Sequence, residues 1–341
     1  MKENILVTGA AGFIGFHLCK KLIKNGCNVV GFDNINDYYE IDLKESRLKI
    51  LDKEGFKAKN WFFVKGDLIE KDSVEDVFNK YNPNIVINLA AQAGVRYSIE
   101  NPQTYVNTNI LGFLNILECC KSQKVKNFLY ASSSSVYGGN KKLPFSENDS
   151  VNHPKNIYAA TKKSNELFAH AYSHLYKIPS TGLRFFTVYG PWGRPDMAPM
   201  IFAKAILEGK PIEVFNHGNM KRDFTYIDDV VEAILKCCFK PASIYPNFDS
   251  LNPEPSKSFA PHRILNIGNG NPLDLLLFID ILEKALGKKT TKIMKDMHNA
   301  DVQETFADKK QIEEWIGFKT NTSIEKGIEK FADWYINYYF K

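Results

Sequence analysis

A short apolar run, Ile5-Leu6-Val7-Thr8, breaks into Gly9-Ala10-Ala11-Gly12-Phe13-Ile14-Gly15 and then into a segment where Ile14, Leu18 and Leu22 recur every four residues. Three glycines at that spacing, between a strand and a helix, restrict the chain to few local folds. They permit a tight turn, let backbone approach a ligand without an intervening Cβ, and let the helix close against the strand. The helix then presents free N–H groups and the positive end of its dipole to the turn, an arrangement suited to phosphate. Gly26 stands where that helix should stop.

The next apolar run, Val29 to Asp33, ends in an acid 24 residues after Gly9. Asp33 can accept hydrogen bonds from both hydroxyls of an adenosine ribose, and its charge repels a 2′-phosphate. The residues after it, Asn34, Ile35 and Asn36, include no arginine to offset that repulsion, so NAD⁺ is favoured over NADP⁺. Further runs at Trp61 to Lys65, Ile85 to Leu89, Phe128 to Ser132 and Ser180 to Phe186 alternate with helical stretches and are apolar nearly throughout, as strands buried on both faces should be. The expected fold is α/β, a Rossmann-type doubly wound parallel sheet.

After about residue 190 the pattern loosens, with Pro191, Pro195 and Pro199 close together and a Pro/Ser/Asn-rich stretch from Pro241 to Pro261. The chain therefore divides into residues 1–190, an NAD-binding unit carrying the catalytic groups, and 191–341, mainly a smaller α/β substrate-binding unit with segments returning to the main sheet.

Tyr158 and Lys162 stand at i and i+4, on one face of a helix. A free tyrosine with a pKa near 10 is a poor base at neutral pH, and a neighbouring lysine cation favours its phenolate. Upstream, Tyr130-Ala131-Ser132-Ser133-Ser134-Ser135-Val136-Tyr137-Gly138 ends a strand, where four hydroxyls converge on the ligand crevice of a parallel sheet. A cofactor-binding sensor would not need Ser133, Tyr158 and Lys162 together.

The glycine turn, Asn88-Leu89-Ala90-Ala91-Gln92, the Ser-Val-Tyr-Gly turn, Tyr158/Lys162 and Leu183-Arg184-Phe185-Phe186 resemble the nucleotide-sugar epimerase branch of the extended short-chain dehydrogenase/reductases. Within that branch, Ala91 to Ser98, Phe186 to Met197 and Arg222 to Asp229 are similar to UDP-glucuronate 4-epimerases, and the resemblance covers essentially the whole chain. It implies a tightly held NAD⁺ contacted by Gly9, Gly12, Phe13, Ile14, Gly15, Asp33, Asn34, Asp67, Leu68, Leu89, Ala90, Ala91, Asn109 and Phe185 together with Tyr158 and Lys162. It implies further that Tyr158 takes the proton of the sugar C4 hydroxyl, that Ser133 relays it, and that the 4-keto sugar turns over before reduction on its other face.

Related dehydratases and decarboxylases carry carboxylates just before the Val-Tyr-Gly turn, where this chain has Ser134 and Ser135. These hydroxyls and Thr187 can donate hydrogen bonds to a C6 carboxylate. Galactose-type epimerases usually have asparagine in place of Thr187. The order of readings is UDP-glucuronate 4-epimerase, then a UDP-glucose/galactose-type enzyme, then a decarboxylase or 4,6-dehydratase. For the UDP moiety the candidates are Arg96, Arg194 and Arg222, the segment Val214-Phe215-Asn216, and Asp301, which follows a departure from the family pattern at His298, Asn299 and Ala300.

A net charge of +5 without a basic run gives no nucleic-acid footprint. Six cysteines without a C-x-x-C pair suggest reduced thiols. With a strand starting at Ile5 and no apolar run of about 18 residues, the expectation is a cytoplasmic protein away from membranes. His170 and His174 share a helix face but lack a third ligand, so no metal is expected. The family's usual packing of the helices around Thr108 to Lys121 and after Tyr158 implies a homodimer.

Overall fold

The computed structural model describes residues 3–297 and 301–340. The departing segment His298-Asn299-Ala300 lies outside the described residues. In chain order the strands are β1 (Asn4–Thr8), β2 (Asn28–Asp33), β3 (Trp61–Lys65), β4 (Ile85–Asn88), β5 (Asn127–Ser133), β6 (Ser180–Phe185), β7 (Thr187–Tyr189), β8 (Ile212–Phe215), β9 (Lys221–Arg222), β10 (Phe224–Tyr226), β11 (His262–Ile267), β12 (Leu273–Asp274) and β13 (Lys292–Lys295). Seven of these form one parallel sheet in the order β11-β6-β5-β4-β1-β2-β3. The strand order reverses between β1 and β4, which opens a crevice at their carboxyl ends.

Strands β1, β2, β4, β5 and β6 are almost wholly buried, because helices cover both faces. Helix α1 (Phe13–Lys24) buries Phe16, Leu18, Cys19 and Leu22. Helix α2 (Ile41–Ala58) buries Leu43, Leu48 and Leu51 but also Lys44 and Arg47. On the opposite face, Leu117, Phe128, Tyr130 and Ala169 belong to a second apolar cluster.

The seventh strand lies beyond the Pro-rich stretch and was not among the runs read from sequence. Its polar residues disguise it, and each has a partner in the fold. His262 meets the Tyr130 hydroxyl at 2.9 Å, and Asn266 accepts the Tyr137 O–H at 2.7 Å while donating to the carbonyls of Phe145 and Asp308. Arg263 lies over the Trp315 ring, 3.7 Å from its centroid. The stretch 241–261 has no regular structure, yet it packs against the helix Ile157–Tyr176, where His170 bonds Ser258 Oγ at 2.6 Å. Two small parallel pairs, β7 with β10 and β8 with β13, form beside the crevice.

Glu147 is fully buried under the serine turn. One of its oxygens accepts the Asn266 N–H at 2.7 Å and the other has no partner among the described residues. Burial pushes its pKa up to about 7. Between the unfolded value near 4.5 and 7 the native state keeps a proton that the unfolded chain has lost, so this group's contribution to stability is full below pH 4.5 and is lost as pH rises through 7. Glu147→Gln removes that penalty. It should raise Tm at pH 8 by the equivalent of up to about 3 kcal/mol, a gain that vanishes near pH 4 in thermal melts.

Candidate active site

The crevice at the β1/β4 reversal deepens into a cleft of about 770 Å³. Its floor is the glycine turn. Gly9 adopts φ +71° and its N–H donates to Phe32 O at 2.8 Å, tying the turn to β2. A Cβ on Gly15 would fall 2.0 Å from Gly9 O, and one on Gly9 would fall 2.8 Å from Ala90 N. Neither glycine can be replaced without moving backbone. Helix α1 begins here with no side-chain cap and no acid in its first turn, so its leading N–H groups are free for an anion.

Asp33 closes the far side. Its carboxylate accepts Ala11 N–H at 3.0 Å and Ile35 N–H at 2.9 Å. Burial raises its pKa, opposed by these bonds and by the charges of Lys44 and Arg47. Asn34 donates to Asp67 at 2.8 Å. Gly12, Phe13, Ile14, Asp67, Leu68, Leu89, Ala90, Ala91 and Phe185 complete the wall. An open helix N-terminus, a turn that only glycine can make and an acid at ribose distance along the sheet edge fit a dinucleotide.

The helix Ile157–Tyr176 starts at Asn156, whose side chain accepts Ala159 N–H at 2.8 Å. This cap places Tyr158 in the first turn, facing the cleft, with Lys162 one turn further in. Ser133, extended at the end of β5, accepts Ser135 N–H at 3.2 Å, which leaves its own proton available. Burial raises the Tyr158 pKa, while a hydrogen bond from Ser133 and the positive charge of Arg194 lower it. The Lys162 ammonium donates to Ala131 O at 2.8 Å, and burial works against its charge, drawing its pKa down to about 7.

Ser132, Ser133, Ser134 and Ser135 border the cleft, but their hydroxyls do not all converge on it. Ser132 donates inward to Glu166 at 2.7 Å. Glu166 in turn holds the buried Arg184 through two bonds of 2.8 and 2.9 Å. That pair ties the helix bearing Tyr158 to β6, and Ser132 adds the end of β5.

The model of the NAD dependent epimerase/dehydratase family matches residues 5–249. The chain belongs to that family. It is 55% identical over 338 residues to protein CapI of Staphylococcus aureus, covering 99% of this chain and all of that one. It is 47% identical to a probable UDP-glucuronate 4-epimerase of Rhizobium meliloti, covering 97% of this chain and 96% of the relative. Among solved structures it resembles a UDP-glucuronic acid 4-epimerase from Bacillus cereus in complex with UDP-glucuronic acid and NAD, with a TM-score of 0.87, 34% identity and coverage of 98% and 100%.

The cleft continues past Ser133, Tyr158 and Lys162. Ser134, Ser135, Thr187, Arg96, Arg194, Arg222 and Asp301 line that extension. Arg222 is placed by its neighbour Asp223, a fully buried carboxylate accepting N–H groups of Asn269, Gly270 and Ala307 at 2.7 to 2.9 Å. Arg96 pairs with Asp301 at 3.0 Å, and Arg194 grips Asp196 through both nitrogens.

Four of the expected residues lie off the cleft wall. Asn109 is buried behind it, where its side chain clasps the Gln92 backbone at 2.9 and 3.0 Å and donates to Thr161 Oγ1. It therefore shapes the wall rather than forming it. Val214 is core. Phe215 lies beneath the Arg96 guanidinium, 4.3 Å from ring centroid to charge, and Asn216 bonds Asn219 O within its own turn.

Sequence reasoning passed over Tyr38, Tyr39, Lys44 and Arg47. Lys44 donates to Asn36 O and Oδ1 at 2.6 and 2.7 Å, and Tyr38 reaches Asp196 at 3.3 Å. The available signal was a cation at two positions of the buried stripe of α2, beside Leu43, Leu48 and Leu51. Tyr158→Phe should lower kcat by about 10³-fold and Ser133→Ala by about 10-fold, with circular dichroism and nucleotide released on heating unchanged in both.

Proposed function

We propose that this chain interconverts UDP-glucuronate and UDP-galacturonate by inverting C4 of the sugar. The observation that carries the reading is the joint lining of one cleft by Ser133, Tyr158 and Lys162 and by the hydroxyl residues Ser134, Ser135 and Thr187, with no carboxylate at positions 134 and 135. Bound NAD⁺ supplies reversible hydride acceptance, and the reaction leaves no net redox change. Tyr158 removes the C4 hydroxyl proton, and Ser133 hydrogen-bonds the same oxygen and relays that proton. Gly9, Gly12 and Gly15 with the N-terminus of α1 hold the cofactor diphosphate, and Asp33 holds its adenosine ribose.

Ser134, Ser135 and Thr187 grip the C6 carboxylate. The oxidised sugar is a β-keto acid, which loses CO₂ when its carboxylate bond aligns with the carbonyl π system, and these hydroxyls keep it out of alignment. Arg96, Arg194 and Arg222 meet the diphosphate, displacing the Asp301 and Asp196 carboxylates that occupy two of them. Residues 1–190 thus serve cofactor and catalysis and 191–341 mainly the UDP-sugar. Because neutral hydroxyls would also accept a CH₂OH group, a UDP-glucose/galactose-type activity is the second reading.

No described helix is long and apolar enough to cross a membrane, and all six cysteines are free and buried. Free thiols support a cytoplasmic enzyme, and a UDP-uronate product suits a supplier of polysaccharide synthesis. Leu111, Leu167 and Leu175, about half exposed on the helices that follow Asn107 and Ile157, support a homodimer through that face.

Purified protein incubated with UDP-glucuronate and no added NAD⁺ should yield UDP-galacturonate. UDP-xylose or its 4-keto precursor as main product would overturn the carboxylate assignment, and turnover of UDP-glucose alone would establish the second reading. Thr187→Ala should raise KM for UDP-glucuronate about 10-fold more than for UDP-glucose. In sedimentation, Leu167→Glu should convert a dimer to a monomer.

A further inference from the structure

Arg47 has no exposed surface, and it carries a charge that no carboxylate pairs with among the described residues. Its hydrogen bonds go to three carbonyls and one phenol: Ala11 O at 2.7 Å, Trp192 O at 2.7 Å, Gly193 O at 3.2 Å and the Tyr39 hydroxyl at 2.9 Å. A buried guanidinium whose direct partners are all neutral is costly, and with Asp33 acting on it only at a distance, an anion at the glycine turn would complete it. The acceptors also belong to three separate pieces of the cleft. Ala11 is in the glycine turn. Tyr39 is in the loop after Asp33. Trp192 and Gly193 lead into Arg194.

The last of these pieces is held by the cofactor half at three successive carbonyls. His17 of α1 bonds Pro191 O at 2.9 Å, and burial lowers its pKa to about 4, so the neutral ring donates there. Arg47 takes the next two. Trp192 adopts φ +63°, a conformation an L-residue keeps only where its surroundings impose it. Its ring is lodged among Phe16, Trp334 and Tyr338 at centroid distances of 5.0 to 5.6 Å. Arg194, two residues on, bears on Tyr158 and reaches Asp196, which the Tyr38 hydroxyl also touches.

We propose that Arg47 is a positioning residue that joins the two ligand sites. Its charge, set directly behind the glycine turn, attracts the cofactor diphosphate, and its planar fork fixes the loop that aims Arg194 at the nucleotide sugar. The inference rests on the function proposed above. Charge and fork separate experimentally, since lysine keeps the first and loses the second.

The test compares Arg47→Lys with Arg47→Met for NAD content per purified chain, read from nucleotide released by heat, and for KM and kcat with UDP-glucuronate at saturating NAD⁺. R47M should retain less than about half the wild-type NAD, and its KM should rise about 10-fold with a smaller fall in kcat. R47K should retain NAD and show the KM rise alone. Wild-type NAD content and KM in a folded R47M would overturn the proposal. Should R47M not fold, a wild-type KM in R47K does the same. If the wild-type protein leaves UDP-glucuronate unchanged, the proposed function fails, while NAD content still decides the role of the charge.

Discussion

The contact between the start of helix α1 and the end of β1 governs the geometry of everything around it. Gly9 O occupies the space that a Cβ of Gly15 would need, so the helix comes closer to the sheet edge than any other residue there would allow. That approach leaves the first N–H groups of α1 open toward the crevice. It also brings Ala11 within reach of both Asp33 and Arg47, one through its N–H and one through its carbonyl. The open helix N-terminus, the acid that holds the Ala11 N–H and the cation behind the turn all depend on one missing Cβ.

Electrostatics in the cleft follow from burial rather than from pairwise attraction. Lys162 sits deep against Ala131 O with no carboxylate beside it, which weakens its cationic form, and Tyr158 is pushed away from the phenolate by the same desolvation. Carboxylates meanwhile occupy Arg96 and Arg194, so the two cations at the mouth of the cleft are already paired within the chain.

Where local sequence failed, a distant partner was the reason. The strand His262–Ile267 carries histidine, arginine and asparagine where a buried strand should be aliphatic, and only Tyr130, Tyr137 and Trp315 make those side chains tolerable. The absence of an arginine directly after Asp33 was read correctly as sequence, yet Arg47 approaches the same acid from the next helix, bound to carbonyls instead of a phosphate. Ser132 was indistinguishable from its neighbours until the fold turned it toward Glu166.

From its sequence alone six of the seven strands of the chain's sheet, its dinucleotide turn, the acid at Asp33 and the Tyr158/Lys162 pair were determined, because strand alternation, glycine geometry and the pitch of a helix are local properties. Tertiary structure decided which hydroxyls face the cleft, which of the arginines already hold a carboxylate, that Asn109 shapes the wall from behind, and that Arg47 spans three loops. Those outcomes join residues separated by up to 205 positions, and no local pattern encodes which buried donors will find which carbonyls once the helices have packed.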